Sequence, residues 1–476
     1  MSNIFDPKGS VGFSGSDVTK FFKLVTSAAR TGDAWGLKRR LTKEGYDIHT
    51  IEAAAAAVKA GHNPEPILAR AREDAQAKAK QAELKRNPPP IHGSARWSKT
   101  IELEDKGLTN TNEGRGLSFG THKDKAVTWD GESHLLTVAP TRSGKGTMQI
   151  IPNLLQYTGA AVVLDPKGEL YESTSKWRRE NVGPVYALNP FNMPITPPDG
   201  QIGSFTHAFN PLDTVTDSLS ANKLAEMVFP RNPDVSSHFF DSEAIGFLAA
   251  VIEFFALYGK PHQRSMGNIR HKLSSLSTPL FTLIKAMSHP ALPESIQNAA
   301  NNFKGKTRDT GQPRVIDSLN QHMRIWDNDG LREATKQTDF SFKDLKDTPA
   351  TVYLILPFEE IQAYSTYVRM VLAMALNAML ENHNKPDIPV LFVLDEFLAL
   401  DPDDRFVSAL RTHASAGVRL WFFLQDIPTL EQKYPKNWKS FFQVETQCFF
   451  GTVEIVDSLP NDGKVIDDQR DYSLKS

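Results

Sequence analysis

A single cysteine, Cys448, is all that this chain of 476 residues contains. That excludes an internal disulfide and any fold held together by crosslinks. Stability must then come from burial, and a chain of this length buries about three-quarters of its unfolded surface unaided. Cys448 lies in the apolar run Q-C-F-F-G and reads as a small core residue in a reducing compartment. Long hydrophobic runs are also missing. The best, Ala244 to Tyr258, is interrupted by Glu253 and falls short of the ~20 residues that span a bilayer, so a buried helix is expected. The first twenty residues are polar and Gly/Ser-rich, unlike a signal peptide, and the expectation is a soluble, cytoplasmic protein. Net charge is nearly absent, with 54 Lys and Arg against 56 Asp and Glu, which excludes a generally basic, polyanion-coating surface.

The charge that is present is uneven. From Lys23 to Lys99 fifteen basic residues face eight acidic ones, in a region that is helical in pattern and rich in alanine. A solvated helical arm and a nucleic-acid contact both fit that surplus. The segment from Pro66 to Arg86 has few apolar anchors and suits an arm or a partner-binding helix, and Asn87–Pro90 follows as a stiff linker. Residues 1–90 are therefore assigned to an N-terminal helical region.

From residue 91 the texture changes. Strand-like segments occur at Leu135–Ala139, Ala161–Asp165, Pro184–Leu188, Thr351–Leu356, Val390–Leu394, Arg419–Leu424 and Cys448–Gly451, with helical periodicity between them. Alternation of this kind predicts a mostly parallel sheet covered on both faces. Residues 91–215 and 346–452 form this α/β domain. The stretch 216–345 has helical pattern and no strand, and is too long for a loop in a compact domain, so it reads as an inserted all-α domain. Residues 453–476 are polar and acidic and are expected to be a disordered tail.

Two segments carry the chemistry. In H-L-L-T-V-A-P-T-R-S-G-K-G-T, His134 to Thr147, an apolar strand enters a Gly/Ser loop, then Lys145, then a helical pattern. Backbone N–H groups, a lysine charge and a helix N-terminus together cradle phosphate. The loop departs from the strict G-x-x-x-x-G-K-[ST] form. Ala139 replaces the first glycine and Gly146 the metal-binding hydroxyl, leaving Thr147 as the substitute. In V-L-F-V-L-D-E-F, Val390 to Phe397, a strand ends in Asp395 and Glu396, where one acid can hold Mg²⁺ and its neighbour can activate water. Together they predict nucleoside triphosphate hydrolysis. Asp165, ending A-A-V-V-L-D, is placed with Lys167 at the phosphate site because open α/β sheets bind ligands at strand carboxyl ends; a helix cap beside a surface lysine is the other reading. Gln425, ending R-L-W-F-F-L-Q-D, can hydrogen-bond attacking water or the γ-phosphate.

The series A-P-T-R-S-G-K-G-T, P-N-L-L, V-V-L-D-P-K-G-E-L, F-N-P-L-D, A-T-V-Y-L-I-L-P, L-D-E-F-L-A-L and G-V-R-L-W-F-F-L-Q-D resembles the TraG-type coupling proteins of type IV secretion and conjugation. H-G-S-A-R-W, His92 to Trp97, resembles the lead into that family's ATPase domain. The resemblance runs from about His92 to Thr452. It implies a RecA-like P-loop ATPase domain with an inserted all-α domain, assembled as a homo-oligomeric ring, commonly a hexamer. It further implies ATP-driven recruitment and transfer of single-stranded DNA with a bound relaxase, or of effector proteins, to a secretion channel.

Carried onto this chain, the nucleotide-binding positions are Thr141, Arg142, Ser143, Gly144, Lys145, Gly146 and Thr147, with Asp165 beside them. Lys145, Asp395, Glu396 and Gln425 are the catalytic set, and Thr147 and Asp395 the Mg²⁺ positions. Arg411 and Arg419 are the candidates for an arginine acting across a subunit boundary, and Arg419, which opens a strand, also has a structural reading. Family members typically begin with transmembrane helices. Only a helical arm is read here, so docking at the inner face of the membrane is expected through secretion-channel subunits. A soluble DNA motor of segregation or repair, and a non-hydrolysing adaptor, remain open.

Overall fold

The structure, a computed structural model, describes residues 31, 33–43, 46–71, 100–109, 114–196, 203–229 and 238–450. The chain divides into two compact units, residues 1–94 and 95–476. The Pro-rich linker, most of the polar helix before it, the segment His92–Trp97 and the acidic tail lie outside the described residues.

In the first unit, helices Ala34–Lys43 and Ile48–Lys59 are followed by a helical stretch over 65–71. Asp47 starts the second helix by accepting the Thr50 N–H at 3.0 Å, a standard N-cap. Ala34, Leu37, Leu41, Ile51, Ala54, Ala55, Val58 and Leu68 form a core of their own. These helices thus do more than extend as an arm.

The second unit is built on seven strands. β1 (Leu117–His122) and β2 (Lys125–Trp129) make an antiparallel hairpin outside the main sheet, which the sequence pattern did not announce. The main sheet comprises β3 (Leu135–Val138), β4 (Ala161–Asp165), β5 (Val185–Leu188), β8 (Thr351–Ile355), β9 (Val390–Leu394), β10 (Val418–Leu424) and β11 (Thr446–Phe449). Two-residue strands β6 (Pro194–Ile195) and β7 (Gly203–Ser204) pair separately. The order is β11-β3-β10-β9-β4-β8-β5, and every pairing in it is parallel. All seven expected strands are present. The last begins at Thr446 rather than Cys448.

Strands β4, β8, β9 and β10 are buried along their whole length, which explains why they read as unbroken apolar runs rather than alternating ones. Their side chains still alternate between faces. Val162, Leu164, Phe392, Leu394, Leu420 and Phe422 join one core. Ala161, Val163, Leu391, Val393, Trp421 and Phe423 join the other. The helices between β5 and β8, from Ser218–Val228 to Asp329–Ala334, bury their apolar faces in the first of these cores, which runs continuously from insert to sheet. Within them, Ala244 to Glu253 belongs to the helix His238–Glu253, continued by a wider turn to Tyr258. Glu253 is buried there and accepts from the Ser295 hydroxyl. Among the described residues no helix is long and apolar enough to cross a membrane.

Candidate functional site

The site forms at the carboxyl ends of three adjacent strands, β3, β10 and β9. β3 delivers the loop 139–144, β9 delivers Asp395 and Glu396, and β10 between them delivers Gln425. The loop turns on two residues in the left-handed region, Arg142 (φ 65°) and Gly144 (φ 86°). The positive φ at Gly144 favours glycine, while the nearest atom a Cβ would meet, Met148 Sδ at 2.8 Å, belongs to an exposed, flexible side chain that can move aside.

Beyond the loop the chain makes a wide, π-type turn over Lys145–Ile150 and an α-turn over Ile151–Leu154. Pro152 explains the widening. It has no N–H to return to the Met148 carbonyl and its ring would crowd that carbonyl in a regular α-turn, which the wider turn relieves. The first N–H groups of this helix have no acceptor within it. The Ser143 hydroxyl is buried and without a partner. Left-handed loop residues, open amides, an unmatched hydroxyl and a lysine make a donor set that fits a polyphosphate.

Lys145 Nζ lies 3.1 Å from Asp395 Oδ1 and 2.5 Å from Glu396 Oε1. Gln425 Nε2 donates to Glu396 Oε2 at 2.6 Å, and Thr141 Oγ1 lies 3.4 Å from Gln425 Oε1. Residues far apart in the chain thus share one network from lysine through both acids to the glutamine and back to the loop. Glu396 occupies the left-handed region at φ 54°, an uncommon setting for a non-glycine residue and one held by its surroundings.

Burial works against the Lys145 charge, but Asp395 and Glu396 outweigh it and the lysine pKa stands above its ordinary value. For Asp395 burial wins: even with Lys145 beside it, its pKa is held above the usual carboxylate range, with Glu396 adding to the effect. The asymmetry is physical, because one ammonium is shared between two acids.

Asp165, on the strand next to β9, is 1% exposed and accepts the Tyr171 N–H at 2.8 Å. Burial pushes its pKa up to about 6, against the pull of backbone N–H groups, and the nearby Asp395 charge contributes. It caps the turn into helix Glu169–Asn181 at the edge of the site, while Lys167 is exposed. Thr147 is exposed, and its hydroxyl donates to the Gly144 carbonyl at 3.3 Å. Carboxylate and hydroxyl oxygens suit Mg²⁺, which commonly takes one or two protein ligands beside substrate phosphates and water. Among the described residues no group of three or more His, Cys, Asp or Glu residues that could hold a metal occurs.

The model of one protein family, described as type IV secretory system conjugative DNA transfer, matches residues 93–450. The chain belongs to this family. It is 26% identical over 386 residues to protein VirD4 of Rhizobium radiobacter, covering 76% of this chain and 53% of that protein. It is 22% identical over 392 residues to conjugal transfer protein TraG of Escherichia coli, covering 72% and 59%. The chain therefore spans little more than half the length of these curated relatives. Among solved structures, plasmid coupling protein TrwB in complex with the GTP analogue GDPNP superposes with a TM-score of 0.54 at 17% identity, over 73% of this chain and 75% of that one. TrwB in complex with ADP and Mg²⁺ gives 0.52 at 17% identity, over 73% and 76%. These likenesses establish the α/β fold with its parallel seven-stranded sheet as that of the coupling proteins.

Two further residues hold the helical turns that follow the loop. Asn153, fully buried, donates from Nδ2 to the carbonyls of Ser118 at 2.9 Å and Gln149 at 2.7 Å. It also accepts the Ser118 N–H at 2.6 Å, so it ties the loop's helix to hairpin strand β1. Gln149 accepts from the Thr137 hydroxyl at 3.1 Å, and Thr137 in turn accepts the Trp421 indole N–H at 3.0 Å. Asn153 was visible within P-N-L-L, but its partner strand had no sequence signal. The Cys448 thiol lies beside Gln149 and Thr137, and burial pushes its pKa up to about 12.

The two arginine candidates part company here. Arg419 spends its donors on the carbonyls of Gly131, Arg115 and Asp130 and stacks over Trp129. These contacts fit the structural reading of Arg419. Arg411 sits in the last turn of helix Asp404–Thr412, within 3.3 Å of the Ser440 hydroxyl.

Proposed function

We propose that this chain is an ATP-hydrolysing coupling protein acting in type IV secretion or conjugation. In this reading a homo-oligomeric ring, in the cytoplasm and held at the inner face of the membrane by secretion-channel subunits, recruits and moves single-stranded DNA with its relaxase, or effector proteins. The observation that carries it is the meeting of Lys145 with Asp395, Glu396 and Gln425 below the Thr141–Thr147 loop.

The triphosphate is held by the loop amides, the Ser143 hydroxyl and the Lys145 ammonium. Asp395 and Thr147 would hold Mg²⁺, which when bound neutralises charge on the phosphate oxygens. Once Lys145 serves the phosphates, Glu396 is free to take the proton of an attacking water, and Gln425, already bonded to its other oxygen, orients it. General-base assistance of this kind contributes roughly 10²–10⁴ in rate. The test is phosphate release with and without single-stranded DNA for the parent, Lys145→Ala and Glu396→Gln proteins. We expect Glu396→Gln to bind ATP while hydrolysing it at least about a hundredfold more slowly. A parent protein no faster than either variant would mark a non-hydrolysing adaptor and end this reading.

A further inference from the structure

The described helices of the N-terminal unit precede the family match, which begins at residue 93, and the basic surplus there left a solvated arm and a nucleic-acid contact both open. Its first helix, A-W-G-L-K-R-R-L-T-K, carries four basic residues and no acid. Ala34, Leu37 and Leu41 face the unit's own core. The opposite face presents Trp35, Lys38, Arg39 and Thr42, spaced i, i+3, i+4 and i+7 and all exposed, which is one stripe along the helix. Trp35 is 72% exposed, and the Arg39 guanidinium lies 5.7 Å from its ring centroid. Asp33, just ahead of the stripe, is engaged as a cap by the Gly36 N–H at 2.9 Å.

An exposed tryptophan ring flanked by two cations offers a stacking face for a base with charges placed for the phosphates on either side. We infer that this stripe is a docking site for single-stranded nucleic acid, with Trp35 stacking on a base and Lys38 and Arg39 contacting flanking phosphates.

Charge complementarity selects a polyanion, and the ring selects one whose base faces are open. A duplex hides those faces, and the following helix, with its run Ala53–Ala57, offers little to read base edges in a groove. A membrane surface suits the stripe poorly. An interfacial helix buries an apolar face in lipid, whereas this helix spends its apolar face on Leu68 and its neighbours. The site would add affinity for the strand independently of the ATPase chemistry.

The experiment uses the full chain and the anisotropy of a labelled oligothymidylate of about twenty nucleotides, between roughly 50 and 200 mM salt. Trp35→Ala is expected to weaken binding about tenfold, within the range of one base stack, and Trp35→Phe to retain most of the affinity. Lys38→Ala with Arg39→Ala should lower the slope of log affinity against log salt by about 1.4, the value for two single-strand phosphates. Phosphate release without DNA should be unchanged in all of these, and its loss in Lys145→Ala should leave the Trp35 effect intact, so the two readings can fail separately. Wild-type affinity and slope in both alanine variants would overturn the inference. So would duplex competing as well as single strand, or Trp35-dependent recruitment to phosphatidylglycerol vesicles without an effect on the oligonucleotide.

Discussion

Replacing Lys145 with methionine keeps much of the side-chain volume and removes the cation paired with Asp395 and Glu396, at 3.1 and 2.5 Å. All three side chains are largely buried, at 14%, 15% and 11% exposure, so water compensates little. Breaking a buried pair typically costs about 3–5 kcal/mol; the remaining exposure at the cleft brings the expectation to about 2–3 kcal/mol. In a domain this large that is a fall in Tm of about 3–5 °C.

The pH dependence follows from Asp395, whose native pKa already lies above its ordinary value. Losing the lysine raises it further. An acid with a raised native pKa loses stability as pH climbs from its unfolded towards its native value, so the deficit should be larger at pH 8 than at pH 5. Adding Glu396→Gln should recover at least half of it by removing the second charge. The assay is thermal unfolding by circular dichroism for parent, both single variants and the double variant, giving a coupling free energy from the cycle. Equal losses at the two pH values, or additive effects of the two substitutions, would refute the electrostatic account.

Two other outcomes are expected. Asp165, with a native pKa of about 6 against an ordinary 3.8, should lose stability as pH rises through that window, and Asp165→Asn abolishes the titration. Its stability relative to the parent, measured by denaturant unfolding, should therefore grow from pH 4.5 to 6.5 and then level off, the change being no more than about 3 kcal/mol; a relative stability that falls with pH would contradict this. Asn153→Ala strands the carbonyls of Ser118 and Gln149 and loosens the loop's helix. We expect the KM for ATP to rise about tenfold with a smaller change in kcat, measured by steady-state phosphate release. A lowered kcat at unchanged KM would argue against a positioning role.

Much of this molecule was legible before any coordinates. The seven strands of the sheet announced themselves because parallel strands buried on both faces must be apolar throughout, as in V-L-F-V-L before Asp395. The loop around Lys145 was legible because its chemistry is local: glycine where φ is positive, a lysine, then a helix. The pairing of that loop with Asp395, Glu396 and Gln425 could be expected from motif order. The hairpin of β1 and β2 could not, because its short strands are only partly buried and S-F-G-T carries no strong alternation. Asn153 was equally silent, since a buried asparagine acquires meaning only through the backbone it bonds. Arg419 carried both a trans-acting and a structural reading in the sequence, and only the fold shows its donors directed at three carbonyls within 115–131.

The amino acids alone therefore determined what is periodic or local, namely the strands, the helices between them, the turn geometry at Gly144 and the identity of the reactive groups. Tertiary structure decided which of those groups meet. Strand order places β10 between β3 and β9, so Gln425 rather than another polar residue bridges loop and acid. The N-terminal helices bury one face in a private core and leave Trp35 outside. Neither result follows from spacing along the chain, because each depends on contacts between segments that only the packed fold brings within a few ångströms.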